Sequence, residues 1–227
     1  MTRPPYRLAL TTSPAARALA ATLAIAAAAS ALTACAPLVI GGAVGGALVA
    51  TDRRTSGTQL EDKTIQLKAG NRIRDALGER GHTNANSYNR VVLLTGEVPT
   101  EADRSAVEAA VAGIENVRSV VNELAVMGNT SLTARSSDVI IEGKIRATYV
   151  DARDVMSNAY KIVVERGVVY LMGRVTEREA ERAVELARSV SGVAKVVRVF
   201  EIISEEELAR LTPKPATAAS GAASSGK

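Results

Sequence analysis

The sequence has no tryptophan and only one phenylalanine, one histidine and one cysteine among 227 residues. Without large aromatics, a core must be filled by Ala, Val, Ile and Leu, which suits small α/β modules better than a large enzyme barrel. A single histidine leaves no His cluster to ligate a metal, and none of the Cys and Asp positions has metal-ligand spacing. His82 lies in GERGHTNANS, a loop-like stretch, where it reads as a solvated side chain rather than a general base. A single cysteine rules out an internal disulfide. Cys35 is then a core residue, a reactive thiol, an intermolecular link or an attachment point. A long hydrophobic run is also missing. The apolar stretch ALAATLAIAAAASAL, Ala18 to Leu32, falls short of the roughly 20 residues that span a bilayer as a helix.

Positive charge is scarcer than the net +4 suggests. Arg3, Arg7 and Arg17 stand in the first 34 residues with no acid beside them. Taking those three from 28 leaves 25 Lys and Arg against 24 Asp and Glu, a net charge of +1. Broad electrostatic capture of nucleic acid is therefore not expected. A basic start, a short apolar run and small residues at its end form an export signal over residues 1–34. Leu32-Thr33-Ala34-Cys35 closes that segment and resembles the bacterial lipobox, in which a branched residue and two small residues precede a cysteine that accepts diacylglycerol. The resemblance implies lipidation of Cys35 after cleavage, with two or three acyl chains where one alone would bind a membrane only marginally. It also implies an outer-membrane address, because Ala36 stands where Asp would signal inner-membrane retention. The domains would then face the periplasm. Residues 35–59 read as a tether. Their pairs Gly41-Gly42 and Gly45-Gly46 lack the preceding strand and acidic partner of a nucleotide-binding loop.

Beyond the tether the chain repeats itself. Val91, Val92, Leu94, Gly96 and Val98 correspond to Val168, Val169, Leu171, Gly173 and Val175, and Thr100-Glu101 corresponds to Thr176-Glu177. Pro99 is one extra residue in the first copy. Each copy opens with a helix, marked by Ile65, Ala69, Ile73 and Leu77 and by Ile141, Ile145 and Tyr149 at i, i+4 spacing. Two short strands follow, with Arg166-Gly167 a tight hairpin turn in the second copy and Asn89-Arg90 in its place in the first. Thr176, followed by Glu177 and Glu179, caps a second helix, whose buried stripe includes Ala183, Ala187 and Val190. The first copy matches it with Val107, Val111 and Ile114. A final strand, VRSVVNELAV or VAKVVRVFEII, must run parallel to the one before the helix. The fold class is α+β: two tandem α-β-β-α-β modules, each a small three-stranded mixed sheet with two helices on one face. They span residues 60–130 and 136–204, and residues 205–227 form a tail expected to be disordered.

That element order, the glycine closing the second strand and the Thr-Glu helix start resemble the BON domain (bacterial osmotically inducible and nodulation domain), from about Leu60 to Ile203. The second copy matches more specifically than the first, whose NANSY strand departs from alternation. The resemblance implies an outer-membrane lipoprotein that binds anionic phospholipid through its second BON domain, around that domain's first helix. On this sequence that helix is DVIIEGKIRATYVDAR, Asp138 to Arg153. With Ile141, Ile145 and Tyr149 facing the sheet, Val139 and Ile140 are left to meet acyl chains, and Lys144, Arg146 and Arg153 to meet phosphates. The alternative is a core role for Ile140 and ordinary surface charge for the cations. A rival function class is a scaffold that docks on other envelope proteins, with the anchor only localising it. No catalytic residue, cofactor or metal is expected. Serines lack a G-x-S-x-G setting, and the carboxylates of TEREAERAVE alternate with arginines as on a solvated helix face.

Overall fold

Helix α1, Ser56–Leu77, starts where Thr55 accepts a hydrogen bond from the Thr58 N–H, and it buries Ile65, Ala69, Ile73 and Leu77 along one stripe. It begins the first of two repeats in a computed structural model that describes residues 52–211. The export signal, Cys35, the rest of the tether before residue 52, and residues 212–227 lie outside the described residues. After α1, strands β1 (His82–Tyr88) and β2 (Val91–Val98) pair antiparallel. Helix α2 (Glu101–Ala112) then returns the chain, capped by Thr100. Strands β3 (Ser119–Asn122) and β4 (Ala125–Val126) both run parallel to β2.

The second repeat follows the same course. Helix α3 is Leu132–Asp151, and a 3₁₀ turn at Ser157–Ala159 leads into β5 (Lys161–Glu165) and β6 (Val168–Val175). Helix α4 (Glu177–Ser189) opens with a capping box in which Thr176 and Glu179 each satisfy the other's backbone N–H. Strand β7 (Lys195–Ile202) pairs parallel with β6 along eight positions. The described residues thus form a mixed α+β fold with five helices and two small mixed sheets.

Four expectations need correction. The final strand of the first repeat breaks at Glu123-Leu124, where the Asn122 carboxamide accepts from Leu124 N–H, so that sheet has four strands rather than three. His82 is the first residue of β1, not part of a loop. The first helix of the second repeat starts six residues before Asp138, at Leu132 behind the Ser131 cap, and ends before Arg153. The tail starts later than residue 205, because Glu205–Leu211 form helix α5, held by Arg174–Glu207 (2.6 Å) and Arg178–Glu205 (3.6 Å) ion pairs.

Both hairpins turn through two consecutive residues of positive φ: Asn89 and Arg90 (49° and 66°), and Arg166 and Gly167 (51° and 72°). Such turns match the twist of the strands they join but leave their N–H groups aimed at the fold. A buried aspartate on the preceding helix receives them. Asp62 accepts from Asn89 N and Arg90 N, both at 2.8 Å, and Asp138 accepts from Arg166 N and Gly167 N, also at 2.8 Å. Asp62 further binds Ser87 Oγ (2.6 Å) and Arg54 (2.8 Å). Burial alone would raise its pKa, but these donors together hold the carboxyl below its ordinary value.

Each sheet is buried on both faces. One face packs on its own helices: Val92, Leu94 and Val98 under α1 and α2, Val169, Leu171 and Val175 under α3 and α4. The opposite faces meet each other through Tyr88, Leu93, Tyr170 and Met172, flanked by Val91, Val121, Val163 and Val197. Polar contacts bridge the rim of this contact. Arg166 donates to Glu97 (2.8 Å), and Arg118 and Asn89 converge on Glu201 (2.7 and 2.6 Å). The helices of both repeats are therefore turned outward.

Candidate functional site

Helix α3 carries the residues expected to meet lipid. Asp138, Ile141, Ile145 and Tyr149 hold its inner face. Tyr149 Oη donates to Ala183 O (2.7 Å), and its ring meets Tyr160 edge-on at 5.3 Å. Burial pushes both phenols' pKa values up. These contacts fix the rotation of α3 on its sheet, so what remains faces outward by geometry rather than by chance.

That outward face is apolar. Leu132, Val139, Ile140 and Val150 are 79, 70, 60 and 70% exposed, and Gly143 and Ala147 beside them are exposed too. Residues 132, 139, 143, 147 and 150 are spaced by seven, four, four and three, so they line one side of the helix, with Ile140 at its edge. A helix that is apolar on its core face and again opposite it has a second surface to cover. Helix α1 in the equivalent position exposes only Leu60 and Leu67 as large apolar side chains, with Thr64, Lys68 and Asn71 between and after them.

The structure exposes Val139 on this stripe and Ile140 at its edge, and beside them Leu132, Ala147 and Val150. Leu132 escaped notice because the helix it opens, capped by Ser131, starts six residues before the expected Asp138. Val150 could have been found by continuing the seven- and four-residue steps. The cations divide. Lys144 flanks the Ile140 side and donates to Ser191 Oγ (3.1 Å). Arg146 flanks the other side, paired with Glu142 at 2.7 Å. Arg153 is exposed two residues beyond the helix end, outside the stripe. Among the described residues no cluster of His, Cys, Asp and Glu could hold a metal, and no helix is long and apolar enough to cross a membrane.

Comparison with known proteins places the chain in a family. The BON domain family model matches twice, at residues 61–128 and 137–204. The outer membrane lipoprotein DolP of Haemophilus influenzae is 39% identical over 175 residues, which cover 76% of this chain and 90% of that protein. A 21 kDa hemolysin of Actinobacillus pleuropneumoniae is 32% identical over 154 residues, 67% of this chain and 79% of that protein. With two BON domains and this degree of identity over most of its length, the chain belongs to the BON domain family and is an outer-membrane lipoprotein.

Proposed function

We propose that the protein is anchored through lipidated Cys35 and uses the outward face of α3, in its second BON domain, to bind anionic phospholipid, and that it supports envelope integrity from the periplasmic side. The observation that carries this reading is the apolar stripe of Leu132, Val139, Ile140 and Val150, flanked by Lys144 and Arg146. Covering half of each of these four side chains with acyl chain is worth about 4 kcal/mol in total. Each cation near an anionic surface adds about 1 kcal/mol, less for Arg146 because Glu142 already pairs with it. Arg153 contributes only as a peripheral charge.

The full chain with Cys35→Ser, which has no thiol to acylate, isolates this contact from the anchor. It should co-sediment with phosphatidylglycerol vesicles and not with phosphatidylcholine vesicles. Adding Ile140→Glu should weaken that association at least tenfold, since it removes an inserting side chain and sets a carboxylate against an anionic surface. Equal binding of the two variants, or no preference for anionic vesicles, would refute the lipid reading and leave the docking of envelope proteins as the better account. Anchoring has its own measurement: Cys35→Ser should leave the outer-membrane fraction in cells, and its retention there would count against lipidation at that residue.

A further inference from the structure

A cavity of about 570 Å³ opens between the two domains, where α1 and the segment before it face α3, the 3₁₀ turn and the start of β5. Four cations line it: Arg54 and Lys63 from the first repeat, Arg146 and Lys161 from the second. Their carboxylates are unevenly shared. Arg54 is held by Asp52 and Asp62 and lies over the Tyr88 ring at 4.1 Å. Asp62 in turn is occupied by the hairpin N–H groups and Ser87.

Lys161 is different. Its ammonium donates to the Ser87 carbonyl (3.2 Å), and with the Gln66 amide turned so that its oxygen faces inward it also reaches that oxygen (2.7 Å). Both acceptors are neutral, and no carboxylate among the described residues lies within ion-pair distance of Lys161 or of Lys63. Burial, together with Lys63 and Arg54 nearby, lowers the Lys161 pKa to about 8. Asp62 and Glu142 oppose that shift only in part, so the half-buried ammonium remains a cost to the fold that an anion in the cavity would reduce.

We propose that this interdomain cavity is a binding site for a phosphate group, held by Lys161 and Lys63 from the two domains with Arg146 at its mouth. Lysines of this kind suit a phosphate as compact point charges. The mouth is bordered by exposed Leu60 on α1 and by Arg146, which also flanks the apolar stripe of α3. A phospholipid whose acyl chains meet that stripe can therefore deliver its phosphate here. In that respect the site rests on the lipid reading, whereas a soluble phosphate ester would need only the cavity.

The test separates the two. The ¹⁵N-labelled full chain with Cys35→Ser is titrated with glycerol phosphate, and its association with phosphatidylglycerol vesicles is measured in parallel. Glycerol phosphate should shift the amides of Lys63, Ser87 and Lys161 saturably. Lys161→Met should weaken that binding at least tenfold, and Lys161→Arg, which keeps the charge, should retain most of it. Lys63→Gln, at an exposed position, guards against a folding defect and should also weaken binding. If Lys161→Met weakens both ligands, the site takes a lipid phosphate. If it weakens only glycerol phosphate, the site takes a soluble ester. If Ile140→Glu abolishes vesicle binding yet leaves the glycerol phosphate shifts intact, stripe and cavity are separate sites. Absence of a saturable shift, or shifts unchanged by both lysine substitutions, overturns the proposal.

Discussion

Arg53 stands before the first element of the fold, yet its side chain is 5% exposed, and its guanidinium grips Glu179 on α4, 126 residues away, at 2.7 and 2.8 Å. It also donates to Arg174 O at 2.7 Å. Glu179, 9% exposed, is the acidic member of the α4 capping box. Arg53→Met removes the cation and leaves a buried carboxylate with little beyond the Thr176 N–H. Breaking such a pair from one side costs about 3–5 kcal/mol, because the remaining charge stays desolvated. Glu179→Gln should cost a similar amount by stranding Arg53. The double variant should cost about as much as either single one, a coupling of about 3 kcal/mol. Urea unfolding read by hydrogen exchange at α4 amides measures these values in the domain concerned. The first repeat supplies the control: Asp103 occupies the corresponding position on α2, but its partner Arg80 is mostly exposed, so Arg80→Met should perturb stability far less. Single variants at Arg53 or Glu179 costing under about 1 kcal/mol, or a double variant equal to their sum, would refute the reasoning.

Other perturbations have equally definite outcomes. Asp62, Glu97, Glu179 and Glu201 all titrate below their ordinary values, because burial is outweighed by hydrogen bonds from Ser87 and backbone N–H groups, from Thr130 and Arg166, from Arg53 and from Arg118 respectively. The unfolded chain then binds more protons in acid. Stability should be fully present above about pH 5 and fall as pH drops through the lowered carboxyl values, which acid titration of the urea midpoint would register. Lys161 acts at the other end. Its folded pKa of about 8 lies under the unfolded lysine value of 10.5, so stability should rise between about pH 8 and 10.5, and Lys161→Met should flatten that rise. Gly96 has φ +113°, and a Cβ there would meet the His82 carbonyl oxygen at 1.9 Å, so Gly96→Ala should cost about 3 kcal/mol or more in thermal or urea unfolding.

Much of this was legible in the sequence because the repeat imposed the same local signals twice. The i, i+4 stripes, the Thr-Glu helix starts and the Arg166-Gly167 turn each reflect a few neighbouring residues obeying one rule. What escaped was nonlocal. Nothing local in the sequence marks Asp62 or Asp138, and only the fold sets them beneath hairpins 27 to 29 residues onward. Arg53 read as part of a polar tether, since nothing nearby in sequence foretells a partner 126 residues away. One missed signal was present. VVLL at Val91–Leu94 and VVYLM at Val168–Met172 do not alternate, and unbroken apolar strands are the mark of sheets covered on both faces. Helices on one side accounted for only half of that burial.

The second half has a consequence for function. A lone α-β-β-α-β module keeps one sheet face free, and that face would be its natural surface for a partner. Here the two free faces cover each other through Tyr88, Leu93, Tyr170 and Met172, so neither remains for lipid or protein. Recognition has to move to the helices or to the seam between the domains. The helices have diverged unequally: α1 alternates its two exposed leucines with polar side chains, whereas α3, after Leu132 and Ser136, keeps an apolar line from Val139 through Gly143 and Ala147 to Val150. The seam, for its part, gathers Lys63 from one repeat and Lys161 from the other, neither within ion-pair distance of a carboxylate among the described residues. Pairing two copies thus consumes the surface they share and leaves binding to what distinguishes the second copy and to what only the pair can form.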